Sequence, residues 1–328
     1  MKVKIYSLVD VFYYSFYIEG LIKIYGKGNV SFSKKNFPPF SERSFAATIE
    51  SENRKIKIVI DAYDNPRISL DLLDWCDVYA KVNFNSNYLP KLQNEKVIPI
   101  GPSFGLRIWN LPETVWFTLS NYMKSKGAIH FKRNFIANYW RQYKRLPLKK
   151  YNNKSKASDN YIYFISSLWE KEPITNANRG IFIKVCKATK EIEFEGGFAP
   201  RPDGKSFGYN SLVTNRITLK EYLKNIKRSI IVFNTPAVDN CFGWKLGEFM
   251  ALGKAIISTE NENTLEQPLE HGKHIHFVSN NEKDIFAAIE KLRLQPKYRE
   301  LLEENSKQYF ERNLLPEVVL KRIINNVY

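Results

Sequence analysis

Residues 239–259, DNCFGWKLGEFMALGKAIIST, place a carboxylate, Glu248, five positions after Gly243 and three after Lys245. Upstream, the apolar run IIVFNTP reads as a strand closed by Pro236, and the residues beyond it as a loop into a short helix. In a parallel sheet, ligands sit beyond the carboxyl ends of the strands. The backbone amides at a helix start favour anionic groups such as phosphates. Gly243 permits a tight approach, and Lys245 adds a cation. Phosphates would repel Glu248, so its carboxylate suits the vicinal hydroxyls of a ribose. Taken alone, a glutamate here would equally complement the helix dipole, and Trp244 would equally be a core residue.

The elements that must position these groups alternate along the chain. KVKIYSLV reads as a strand and FYYSFYIEGLIKIYG as a helix that stops at Gly26. NVSFS, IKIVIDAYD and KVIPIGPSFG read as further strands, and LDLLDWCDVYAKVNF as a helix running into a strand. Residues 112–147 read as helical, with Phe131, Phe135, Tyr139 and Tyr143 recurring every fourth position. The polar stretch KKYNNKSKASDN (149–160) has linker composition. Beyond it the strands YIYFISS, EIEFEGGF, IIVFNTP, AIIST and HIHFVS alternate with helices. One of these, TLKEYLKNIKRS, has Thr218 as its N-cap and Glu221 completing a capping box. The alternation predicts βαβ units with a parallel sheet, hence an α/β chain of two Rossmann-like domains with a ligand cleft between them. The expected domains are 1–150 and 151–312, with a final helix in 313–328, begun by Pro316, packing back on the first.

A hydrophobic content of 44% and charged content of 26% fit a globular protein with ordinary cores. Cys76, Cys186 and Cys241 have no metal-ligand spacing, and their odd number favours a reducing compartment. His274 and His276 alternate like a strand in HGKHIH with no acidic or cysteine partner nearby, so no metal is expected. The charged opening segment lacks signal-peptide character, and no window offers the ~20 apolar residues of a membrane span, so a cytoplasmic, soluble or peripheral protein is expected.

The net charge of +16 is lopsided. Residues 1–158 hold 26 Lys and Arg against 12 acids, and residues 159–328 hold 24 against 22. Eleven Lys or Arg lie between Glu113 and Asp159 with no acid among them. This asymmetry points to a polyanionic partner. Basic residues interleaved with Trp116, Phe117, Trp140 and Tyr143 across 114–156 suit an anionic membrane surface. A nucleic-acid site would need a recognisable reading module, and none is seen, so nucleic acid is not the expected partner.

NCFGWKLGEFMALGKAII resembles the nucleotide-sugar motif of GT-B glycosyltransferases, which in their large retaining group runs roughly E-G-F-G-L-P-x-L-E-A-M-A-x-G-x-P-V-I. It matches at Phe242, Gly243, Glu248, Met250, Ala251 and Gly253, at the two isoleucines 256 and 257, and at Leu246 with a shift of one. YIYFISSLW, TLKEYLKNIKRSIIVFNTP and LEHGKHIHFVSNNEKDIFAAIEKL resemble other segments of that group in the same order, so the likeness spans about 160–310. The N-terminal half matches in architecture only.

This resemblance implies that Glu248 binds the ribose of a nucleoside-diphosphate sugar. It places Lys245 and the amides near Gly243 by the diphosphate, with Phe242 and Trp244 beside them. Gly196, Gly197 and Arg201 would line the nucleotide pocket, and Ser167 and Arg179 would face the phosphates. Arg201 equally suits a solvated loop, and Arg179 a surface charge. The group's first glutamate, eight residues before the second, is here Asn240, with Asp239 beside it. Either Asp239 substitutes or the transferred sugar is held differently; retention of configuration is favoured and inversion stays open. No metal or other cofactor is implied, because amides and cations can stabilise the departing diphosphate.

An inverting reaction needs a general base, for which Asp61 or Asp64 at the end of IKIVIDAYD are candidates, as are Asp10 and His130. Asp64, in DNP, equally suits a turn. The resulting expectation is a cytoplasmic glycosyltransferase, peripheral on the inner membrane face. It would move a sugar from a nucleotide sugar to a glycan or lipid-linked oligosaccharide acceptor in surface-polysaccharide synthesis. The alternatives are a nucleic-acid-binding protein acting through the basic half, and a non-catalytic GT-B relative.

Overall fold

The computed structural model describes every residue except 42, 43, 93, 153–156, 159 and 328. The centre of the expected linker therefore lies outside the described residues. The chain forms two compact α/β units. One comprises Met1–Lys150, Asn263–Glu266 and Arg312–Tyr328; the other comprises Tyr151–Glu262 and Gln267–Glu311.

The first unit opens with β1 (Lys2–Tyr6), α1 (Ser15–Tyr25) and β2 (Val30–Ser33), followed by β3 (Phe45–Glu50) and β4 (Lys55–Asp61). Then come α2 (Leu70–Trp75), β5 (Val78–Lys81), β6 (Val97–Pro99), α3 (Leu111–Ser125) and α4 (Lys132–Tyr143). The strands form one sheet in the order β2-β1-β3-β4-β5-β6. β1–β2, β4–β5 and β5–β6 are parallel, but β3 runs antiparallel to both of its neighbours. The expected parallel sheet is present in three of its five pairings, and β3 is the exception. Residues 51–54 form a tight turn, with Ser51 N–H donating to Arg54 C=O at 2.9 Å, and so short a connection can only return the chain antiparallel.

The helical stretch expected at 112–147 is divided into two helices. α3 begins at a full capping box between Asn110 and Glu113, with a proline in its first turn. It ends before Gly127, and α4 begins after His130. On α4 the four-residue recurrence buries Phe135 and Tyr139, while Phe131 just before it is 66% exposed.

The second unit holds β7 (Tyr161–Ser167), α5 (Pro173–Ala188), β8 (Glu193–Ala199), α6 (Leu219–Arg228), β9 (Ile231–Asn234) and α7 (Gly243–Ala251). It continues with β10 (Ala255–Ser258), β11 (His276–Phe277), α8 (Glu282–Leu294) and α9 (Pro296–Tyr309). β7 pairs with β8, and β10 lies between β9 and β11, all in parallel. Between the two ladders the Ser229 hydroxyl accepts from Tyr163 N–H at 2.9 Å and donates to Ile231 C=O at 2.6 Å, so one buried side chain joins β7 to β9. Phe182 of α5 stacks on Phe233 of β9 with ring centroids 4.3 Å apart, which fastens the helix to the strand that leads into the motif. Thr218 and Glu221 form the expected reciprocal capping box at the start of α6.

The last helix, α10 (Pro316–Asn325), belongs to the first unit. It buries Val319, Leu320 and Ile323 and packs along α1, where Lys23 and Glu317 pair at 3.1 Å.

Candidate functional site

β9 is buried throughout, and its chain leaves the sheet at Asn234 into a loop that must return to the start of α7. Ala237 N–H donates to Cys241 C=O at 2.9 Å, and Cys241 N–H to Val238 C=O at 3.0 Å, closing a compact loop. At its exposed tip Asp239 and Asn240 both adopt positive φ, 53° and 58°, a conformation that short polar side chains tolerate better than most. The tip is tied down by Asp239 N–H on Glu172 at 3.0 Å and by Asn261 Nδ2 on Asn240 C=O at 3.0 Å. Asn240 is therefore an amide side chain on a fixed, solvent-facing turn.

α7 begins at Gly243, with φ +64°, and has neither a side-chain cap nor an acidic residue in its first turn. No acidic side chain of the first turn therefore offsets the positive end of its dipole. In front of the helix start is a cavity of about 140 Å³, bordered by Ser167, Arg179, Thr235, Phe242, Trp244 and Lys245. The structure thus brings Ser167, Phe242, Gly243, Trp244 and Lys245 to one place.

Arg179 is buried, and it is no surface charge. Its Nε donates to Thr235 Oγ1 at 2.9 Å, Nη1 to Ser167 C=O at 2.9 Å and Nη2 to Pro236 C=O at 3.4 Å. It binds the end of β7 to the end of β9. Burial lowers its pKa to about 10, with the neighbouring Cys241 and Glu172 opposing the shift.

Lys245 donates to Ile165 C=O and lies 5.3 Å from the Phe164 ring centre. Loss of hydration lowers its pKa to about 7; the Arg179 charge adds to that, and Glu248 opposes it. An anion in the cavity would favour the charged ammonium. Pyrophosphate affinity, followed by calorimetry, is therefore expected to fall as pH rises through about 7, and Lys245→Met to flatten the profile. Without a ligand the linkage runs the other way. The unfolded lysine keeps its proton to 10.5, so between about 7 and 10.5 the unfolded state binds more protons and stability rises with pH. Lys254, lowered to about 8 by burial, adds to the same slope.

One turn further along α7, the Glu248 carboxylate is 4% exposed. Its Oε1 accepts from the Tyr151 hydroxyl at 3.3 Å and its Oε2 from the Tyr222 hydroxyl at 3.0 Å. No spacing in the sequence links positions 151, 222 and 248, and reasoning from it missed both tyrosines. The dipole-complementing role open to an isolated glutamate does not describe this residue, which sits past the first turn of α7, inside the protein, with two hydroxyl donors.

Two candidates are placed away from this cavity. Gly197 has φ +147°, and a Cβ there would stand 2.3 Å from Leu212 C=O, so the glycine serves the close approach of β8 to residues 212–214 rather than a ligand. Arg201 forks onto Asp203 at 2.9 and 2.6 Å and donates to Leu168 C=O at 3.0 Å, which spends its charge on a surface loop.

In the first unit the candidate bases divide. Asp61 is buried, accepting from Lys81 Nζ at 2.9 Å, from the Tyr79 hydroxyl and from Tyr63 N–H at 3.0 Å. A carboxylate committed to a buried lysine is a structural counterion, and its reading as a general base is corrected on that ground. Asp64 is exposed and accepts from the Tyr13 hydroxyl at 2.9 Å. With Asp10, Tyr13, Phe40 and His130 it borders a second cavity of about 700 Å³, closed on one side by the first turns of α4. Asp10 itself caps the chain after β1, accepting from the amides of Phe12 and Tyr13 at 3.0 and 3.1 Å. Among the described residues no group of three metal-ligating side chains converges.

No family model matches the chain, and no curated protein does either. Solved structures do. A glycosyltransferase from Rickettsia africae ESF-5 aligns over 82% of this chain and 69% of its own, with 10% identity and a TM-score of 0.48. HepE from Anabaena, in complex with UDP-glucose, aligns over 78% of this chain and 65% of its own, with 10% identity and a TM-score of 0.45. A putative UDP-N-acetylglucosamine 2-epimerase from Listeria monocytogenes aligns over 78% and 74%, with 13% identity and a TM-score of 0.36. The likeness extends over most of this chain, and what the site does is read from its own residues.

Proposed function

We propose that this protein is a GT-B glycosyltransferase that moves a sugar from a nucleoside diphosphate to a hydroxyl of a glycan or lipid-linked saccharide. The observation that carries this reading is the cavity at the uncapped start of α7, flanked by Arg179 and Lys245, with the buried Glu248 carboxylate one turn behind it. In this reading the diphosphate lies against the amides of α7, and the ribose hydroxyls donate to Glu248. As the bond from the sugar to the diphosphate breaks, negative charge grows on the leaving oxygens, where fixed amides and cations stabilise it. Asn240, on its fixed turn, offers the transferred sugar hydrogen bonds without charge.

The aromatic-walled cavity of the first unit is the proposed acceptor site. Asp64, with Asp10 and His130 nearby, supplies candidate groups to take the acceptor's proton. The exposed apolar surface supports an acceptor presented at a membrane. Eight of the eighteen large apolar side chains exposed among the described residues fall within residues 111–140, including Trp116, Leu119, Met123 and Trp140. Most of them lie in the basic run between Glu113 and Asp159, which holds no acid, a combination suited to anionic lipid. Among the described residues no helix is long and apolar enough to cross a membrane.

The test is a thermal-shift and calorimetry screen of UDP, GDP, ADP and CMP sugars, since a ligand bound only by the folded state raises its stability. One nucleotide class is expected to stabilise the protein, and Glu248→Ala to weaken that class at least tenfold, about 1.4 kcal/mol. No stabilisation by any of them, or an unaltered Glu248→Ala, would overturn the reading. The replacement of a glutamate by Asn240 favours one rival, a non-catalytic relative; turnover of the bound donor with an added acceptor removes it.

A further inference from the structure

We infer that the cavity of the first unit takes an acceptor bearing an anionic group, a carboxylate or a phosphate, and that Arg141 selects it. The inference rests on the reading of this cavity as the acceptor site. Its volume of about 700 Å³ suits a small ligand. Tyr13, Phe40, Tyr63 and Phe131 give it aromatic walls, against which the C–H face of a sugar ring can lie.

The charged groups of the cavity are sorted by element. Both carboxylates gather on Tyr13, Asp64 accepting from its hydroxyl at 2.9 Å and Asp10 from its amide at 3.1 Å. The cations come from other elements, Lys34 from the chain just after β2 and Arg141 from α4, whose start is flanked by His130. At 3.6 residues per turn, α4 shows three faces. Phe135, Tyr139 and Gln142 form the buried one. Ile136 and Trp140 lie on an exposed one. Asn134, Asn138 and Arg141, at i, i+4 and i+7, form a third that borders the cavity. Arg141 therefore differs from the other basic residues of its segment, because its stripe of the helix faces a cavity and not the apolar outer surface.

On that stripe the Arg141 Nη1 donates to Asn138 Oδ1 at 2.9 Å, so a neutral neighbour steadies the guanidinium without cancelling its charge. A guanidinium is a planar fork that matches a carboxylate or phosphate. The Asp10 and Asp64 side repels an anion and the α4 side attracts it, which gives the acceptor a direction. Its anionic group lies along α4, and a hydroxyl of the same saccharide is turned toward Asp64.

The experiment uses the full chain and reads dissociation constants by ligand-observed magnetic resonance. The probes are neutral methyl glucoside, methyl glucuronoside, methyl glucoside 6-phosphate and farnesyl diphosphate. At least one charged probe is expected to bind about tenfold tighter than the neutral one, the worth of a hydrogen bond between charged groups. Which probe does so separates a sugar carboxylate, a sugar phosphate and a lipid diphosphate as the source of the charge. Arg141→Gln, at an exposed position where the fold tolerates the change, is expected to cut that preference below about threefold. Lys34→Gln is expected to act in the same direction. No preference for any charged probe, or no binding of any probe, overturns the inference. So does a preference that survives in Arg141→Gln, since the anion then sits elsewhere. Nucleotide binding by the second unit is read separately. If it fails while the Arg141-dependent preference stands, the transferase reading falls and a site for anionic saccharides or lipid diphosphates remains. If it holds while the preference is absent, only the present inference falls.

Discussion

Asp61→Ala is expected to destabilise the first unit by about 3–5 kcal/mol, a large part of an ordinary domain's margin. The cost comes from what remains behind. Lys81 has no exposure at all, and Asp61 is its acceptor at 2.9 Å. Burial already holds the Lys81 pKa below the usual lysine value, with Asp61 working against that shift. Removing the carboxylate takes away the buried ammonium's hydrogen-bonded counterion, leaving the exposed Asp64 as a weaker electrostatic partner, and removes an acceptor of the Tyr79 hydroxyl and Tyr63 N–H. Asp64→Ala, at an exposed carboxylate held by one tyrosine hydroxyl, is expected to stay within about 1 kcal/mol of wild type. Urea midpoints at constant slope measure both. A pair of variants with equal midpoints would remove the distinction between the two aspartates.

Arg179→Ala is expected to reduce pyrophosphate affinity by more than tenfold and to cost about 2–4 kcal/mol of stability. Three of the five guanidinium N–H groups are engaged by Thr235, Ser167 and Pro236, which leaves two for an anion. Truncation would strand those acceptors at the ends of β7 and β9 and slacken the wall of the cavity. Arg179→Lys is expected to recover little of either loss, since a single ammonium cannot reach three acceptors spread over two strand ends. The two readouts separate the roles. A stability loss with pyrophosphate affinity intact would make Arg179 a strut and no ligand.

Much of this arrangement is legible in the residues themselves. Apolar-rich runs set β1 and β4, a glycine stops α1 at position 26, and Thr218 with Glu221 announces the start of α6. The strand–loop–helix around Gly243 is legible for the same reason: an apolar run, a proline and a glycine punctuate it locally. What the residues do not announce is long-range. Whether FAATIE inserts between two parallel strands depends on the turn at 51–54 and on which edge of β1 is open. The Lys81 partner of Asp61 lies 20 positions away and the Tyr222 partner of Glu248 lies 26 away, and no periodicity reaches that far. For Arg201 the sequence left ligand or solvated loop open, and its fork onto Asp203 favours the loop; for Gly197 it pointed to the nucleotide pocket, and the approach of Leu212 C=O shows a packing reason for the glycine.

The course of the chain has a consequence for how the protein comes off the ribosome. The second unit occupies an almost unbroken run from Tyr151 to Glu311, so its residues are all made before the final helix exists. The first unit draws on residues on both sides of the second, because α1 packs along α10, which buries Val319, Leu320 and Ile323. Synthesis from the N-terminus would ordinarily let domains fold in order. Here residues 1–150 are made before the second unit, yet the face of α1 that α10 covers waits until residues 316–325 have followed that unit.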